Sequence, residues 1–76
     1  MANIDDINRR GGWLLEETIP GSDLRRYFKV YELDEQQAIE LARAYGATGR
    51  VRAVKELNIH EFTGDGMRPG DVKQHG

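Results

Sequence analysis

The sequence predicts a small α+β domain, a β-hairpin followed by a βαβ-like unit (β-β-α-β), with one helix packed on a short sheet. Three observations lead there. Residues 34–46 carry an amphipathic helix with a start signal and a stop signal. Two runs flanking it, 24–33 and 50–57, are rich in β-branched, aromatic and basic residues. Pro20-Gly21-Ser22-Asp23 marks a turn into the first of these runs, because proline presets φ and glycine takes the positive-φ position.

Residues 1–12 end in Arg9-Arg10-Gly11-Gly12 without a sustained period, and a flexible N-terminal arm is expected there. A single globular domain is expected over 13–62. Within it, 13–19 reads as a strand whose Trp13, Leu15 and Ile19 face the core, with Glu17 the exception to that parity. The turn then feeds a hairpin partner over 24–33. There Phe28 and Val30 point to one face and Arg25, Tyr27, Lys29 and Tyr31 to the other.

The helix is expected over 35–45. Asp34 can accept from the free amides of the first turn, and Gln37 completes a capping-box pattern. Ala38, Leu41, Ala42 and Tyr45 fall at i, i+3, i+4 and i+7 with Ile39 beside them, and Gly46 supplies the C-terminal stop. A strand over 50–57 then adds Val51 and Ala53 to the apolar face and Arg50 and Arg52 to the opposite one, while Val54 breaks the alternation. The expected core is Phe28, Val30, Ile39, Leu41, Ala42, Tyr45 and Val51. After Phe62, Gly64-Asp65-Gly66 and Arg68-Pro69-Gly70 show no period, so 63–76 is expected to be a flexible C-terminal tail.

An all-α alternative competes with this reading. Leu24, Tyr27, Phe28 and Tyr31 also fit helical spacing, and Val51, Val54 and Leu57 sit three apart. The stretch Leu41-Ala42-Arg43-Ala44-Tyr45-Gly46-Ala47 is similar to the first helix and turn of helix-turn-helix repressors, with alanine four residues before glycine. That resemblance covers about ten residues and implies a three-helix, DNA-binding domain. The next apolar position of that family's pattern, six residues beyond the glycine, falls here on Arg52, and the second helix would begin with Gly49, a poor helix former.

A chain of 76 residues has room for one domain with a marginal core, and without cysteine no disulfide supports it. Thiolate metal sites and cysteine nucleophiles are excluded for the same reason. The longest aliphatic or aromatic run, Trp13-Leu14-Leu15, is far short of the ~20 residues of a membrane span, so a cytoplasmic protein without membrane contact is expected. A net charge of −2 argues against bulk attraction of a polyanion. The charge is unevenly placed, however, and the two flanking runs are the basic part of an acidic chain.

No catalytic or metal-ligating set is legible. His60 and His75 lack a second ligand at helical or hairpin spacing. The acid pairs Asp5/Asp6, Glu16/Glu17 and Asp34/Glu35 diverge on regular structure and read as solvated charges or caps. Ser22, the lone serine, sits in a turn without a histidine nearby. Gly11-Gly12, Gly49 and Gly64-Asp65-Gly66 read as turn glycines, since neither a helix start nor a lysine–hydroxyl pair follows them. No enzymatic activity, metal or organic cofactor is expected. What remains is an aromatic–basic sheet face, with Trp13 as a separate anchor. The expected partner-binding residues are Trp13, Arg25, Tyr27, Lys29, Tyr31, Arg50 and Arg52. The expected function is that of a small regulatory or adaptor protein that binds another protein, in one form an inhibitor occupying a partner's surface, with a homodimer as a further option. The alternative is single-stranded nucleic acid, with bases stacked on tyrosine and phosphates held by arginine or lysine.

Overall fold

The structure, a computed structural model, describes residues 9–75. Its elements are β1 (Arg10–Thr18), β2 (Arg25–Val30), α1 (Glu35–Tyr45), β3 (Arg50–Asn58), α2 (Ile59–Thr63) and β4 (Val72–His75). They form an α+β domain on one antiparallel sheet of order β3-β1-β2-β4. The three-helix alternative is overturned: the residues after Gly46 extend into β3 rather than a second helix.

The hairpin is in place, with Trp13 opposite Val30, Leu15 opposite Phe28 and Glu17 opposite Arg26. β2 and β3 run parallel, as a βαβ unit requires, but β1 lies between them and pairs antiparallel with both. The crossover through α1 is therefore split by a strand that precedes it in the chain. Two bulges adjust the β1–β3 ladder. Arg10 pairs with Asn58 and Gly12 with Leu57, leaving Gly11 as the extra residue. Leu14 pairs with Lys55 and Leu15 with Ala53, leaving Val54 as the other. A bulge inserts one residue and restores the alternation beyond it, which is why Val54 breaks the parity of an otherwise regular strand.

α1 forms where expected. The Asp34 carboxylate accepts from the Gln37 amide at 2.9 Å. The reciprocal half of the capping box is supplied by Glu32, whose carboxylate accepts from the Asp34 amide at 2.9 Å. Ala38 and Ala42 are fully buried and bring the helix close to the sheet, where Leu15, Phe28 and Val30 complete the main core. Burial of each of these three larger side chains stabilises by about 1.5–3 kcal/mol. Ile39, Leu41 and Val51 pack at the margin of this cluster. Tyr45, expected inside, is 54% exposed, its ring edge-on to Phe28 with centroids 6.0 Å apart.

The other face of the sheet carries a second, smaller cluster of Leu57, Phe62 and Met67, with Leu14 and Tyr31 against it. Phe62 comes from α2 and Met67 from the following loop, so the expected tail over 63–76 is corrected: it covers half a sheet face and then adds β4 to the edge of β2. The absence of a sequence period over 64–71 reflects an irregular loop held by Phe62 and Asp65, not a lack of packing. The expected N-terminal arm over 1–12 lies largely outside the described residues, and its last residues, Arg10–Gly12, belong to β1.

Gly11 and Gly12 are thus not turn residues. A Cβ on Gly12 would sit 2.0 Å from the Val30 carbonyl oxygen, so only glycine lets β1 approach the end of β2 there. No helix among the described residues is long and apolar enough to cross a membrane.

Candidate partner-binding site

The sheet face opposite α1 is divided in two. One half is closed by α2 and the 64–71 loop, and the other half is open. Cross-strand register assembles the open half as a row running across all four strands: Arg52 on β3, Glu16 on β1, Tyr27 on β2 and His75 on β4. Arg50 and Arg25, both facing Thr18 in the register, form the next row outward.

Glu16 is the centre of this arrangement. It is 5% exposed, and its carboxylate accepts from Arg52 Nε at 3.0 Å and from the Tyr27 hydroxyl at 3.0 Å, with an Arg25 guanidinium nitrogen at 3.6 Å. The Arg52 and Tyr27 hydrogen bonds, aided by the charges of Arg52 and Arg25, hold its pKa below the ordinary carboxylate value against the opposing effect of burial. One acid on the middle strand thereby orients a tyrosine and two arginines on its neighbours. The open face is polar and aromatic, with one carboxylate set among three arginines.

Four of the seven expected residues, Arg25, Tyr27, Arg50 and Arg52, meet on this open half. Lys29 and Tyr31 share the same face but lie under the α2 cap. The Lys29 ammonium is buried and donates to Asp65 at 2.6 Å, and the Tyr31 ring stacks on Phe62 at 4.8 Å. Lys29 and Lys73 together lower the pKa of Asp65, Lys29 contributing most. Trp13 is on the opposite, helix-bearing face, half-buried, with its indole N–H donating to the Leu33 carbonyl at 2.9 Å. It borders a cavity of about 100 Å³ with Arg10, Leu33 and Glu56, next to a shallower depression of about 360 Å³ over Tyr31, Ile59 and Pro69.

Sequence reasoning misplaced the two adjacent glutamates. Their side chains do diverge, to opposite faces, yet neither is solvated. Glu17 is fully buried on the helix side of the sheet. Its carboxylate accepts from Arg26 Nε at 2.5 Å and from the Thr48 and Gly49 amides at 2.5 and 2.6 Å. Arg26 contributes most to lowering its pKa from 4.5 to about 2, followed by the two amides, against the effect of burial. Glu17 thus ties the α1–β3 loop to the centre of the sheet. A Cβ on Gly49 would lie 2.3 Å from the Thr18 carbonyl oxygen, so close approach rather than turn geometry demands glycine there as well. The usable signal was parity: Glu17 stands on the Trp13–Leu15 face, directly opposite Arg26 once the Pro20-Gly21 turn sets the hairpin register.

His60 and His75 are both exposed. Among the described residues no group of three or more His, Asp or Glu side chains could hold a metal ion, and every buried side-chain nitrogen or oxygen has a hydrogen-bond partner. Comparison with protein-family models, with curated proteins and with solved structures finds no match.

Proposed function

We propose that this chain is a non-enzymatic regulatory or adaptor protein that binds another protein through the open half of its sheet. The observation that carries the reading is Glu16 at the middle of the Arg25–Tyr27–Arg52 cluster. A carboxylate there compensates the arginines and fixes the tyrosine before any partner arrives, so little side-chain freedom remains to be lost on binding. Tyrosine and arginine are enriched at protein interfaces, and an ordered patch of them with a carboxylate at its centre suits a protein surface better than a polyanion. Occupation of a partner's functional surface, as an inhibitor, is one form of this activity. Single-stranded nucleic acid ranks second, because the acid at the centre of the face repels phosphate.

Affinity capture from the native host tests the proposal. The intact chain is expected to retain a specific protein, and the Tyr27→Ala, Arg52→Ala double variant to lose it while keeping its fold by circular dichroism. A chain that always emerges alone, or a folded double variant that captures the same protein equally well, would defeat the reading.

A further inference from the structure

The sheet has two outer edges. β4 presents four residues, whereas β3 presents nine, and no described residue pairs with its outer side. A strand at a sheet edge carries unpaired N–H and C=O groups that can template an added strand. On β3 the regular stretch Arg50–Ala53 precedes the bulge at Val54. Arg50, Arg52 and Lys55 are exposed and lie on the sheet face opposite α1, and Arg50 and Lys55 make no ion pair among the described residues. Val51 and Ala53, on the other face, are half-buried against the main core. Glu56, the one acid of the strand, is already bonded to Arg10 at 3.2 Å.

This charge pattern chooses among occupants. Antiparallel pairing of two β3 strands would put Arg50 and Lys55 of each chain, neither of them ion-paired among the described residues, on one continuous face, and like charges across a ladder are destabilising. A strand with carboxylates on that face and small or β-branched residues on the other would be complementary in both respects. Resting on the protein-binding reading above, we propose that β3 accepts an acidic extended segment of the partner by strand addition along Arg50–Ala53, with Arg50 and Lys55 meeting its carboxylates. The bulge limits the regular ladder to those four residues and turns the added chain past Val54, which is 46% exposed.

The probe is a labelled octapeptide alternating Glu with Thr or Val, titrated against the full chain by fluorescence anisotropy. Two counterparts accompany it, one with Lys for every Glu and one N-methylated at alternate residues. Binding of the acidic peptide is expected, with each counterpart weaker by about tenfold or more. The Arg50→Glu, Lys55→Glu double variant, which breaks no described ion pair, should reverse the preference towards the lysine peptide. The chain alone should sediment as a monomer. Equal binding of the N-methylated peptide would overturn strand addition, and so would equal binding of the lysine peptide or a dimer formed through β3. Failure here while capture of the native protein still depends on Tyr27 would remove this inference alone. Failure of capture would remove the wider reading without touching the peptide result.

Discussion

Glu17 is the residue on which most of the internal order converges, since one buried carboxylate ties β1, β2 and the α1–β3 loop. Glu17→Gln keeps an acceptor for the amides but discards the charge opposite Arg26, and it should cost about 1–3 kcal/mol in urea denaturation at neutral pH. Acid supplies a second test. The folded-state pKa of Glu17, about 2, lies below its unfolded value near 4.5, so its stabilisation is complete above about 4.5 and is lost as pH falls through about 2. Glu16 and Asp65, also lowered, act in the same direction. The denaturation midpoint should therefore decline between pH 4.5 and 2 in the parent chain and decline less in Glu17→Gln; parallel profiles would show that Glu17 is not the main acid-sensitive contact. Gly12→Ala makes a steric prediction. Its Cβ would press on the Val30 carbonyl, and a loss of about 1–3 kcal/mol or more is expected from the same denaturation measurement.

At the scale of elements, the short α2 has an effect out of proportion to its length. Phe62, fully buried, anchors the loop that brings in Met67 and Asp65. Phe62→Ala should cost about 3–5 kcal/mol, a large part of the stability of so small a domain. Truncation after Thr63 distinguishes a tail from a structural segment: loss of a tail would leave the melting temperature unchanged, whereas loss of Met67, Asp65 and β4 should lower it by many degrees. The contrast with α1 explains what could be read in advance. α1 declares itself locally, through a cap, a 3.6-residue period and a glycine stop, and its bounds follow from the sequence. α2 and β4 are five and four residues long, too short for a period to show. Their place depends on Leu14 of β1, Leu57 of β3 and Tyr31, just beyond the end of β2. The same holds for the site. Alternation along β2 and β3 places Arg25, Tyr27, Arg50 and Arg52 on one face, but that Lys29 and Tyr31 are covered, and that Glu16 sits among the arginines, are facts of register between strands.

For the whole molecule, these pairings decide how it should respond to polyanions. Arg25 and Arg52 are held by Glu16 and Lys29 by Asp65, which among the described residues leaves Arg50 and Lys55 as the cations of β3 free to meet phosphate. With about two phosphates neutralised at roughly −0.7 each, the log–log salt slope for single-stranded RNA should be shallow, near about −1.4, and binding at physiological salt should be weak. A slope near about −3, as four phosphates would give, together with micromolar affinity, would instead favour the nucleic-acid alternative. Anisotropy titrations at two salt concentrations measure both quantities.

The position of β1 between β2 and β3 also sets an order of events in time. β1 and β2 are joined by a tight turn and can zip at once, whereas Thr18 must await Arg50, and Arg10 must await Asn58, across the whole of α1. Contacts so distant in sequence are slow to form, because loop closure must precede any gain from them. The folding nucleus should accordingly be the hairpin with α1 laid on it. Substitutions such as Phe28→Leu would then slow folding, while Val51→Ala would mainly speed unfolding. On the ribosome the same order leaves β1 half-paired until the chain has been made past Asn58, an interval in which its bare edge is open to misassociation or to a chaperone.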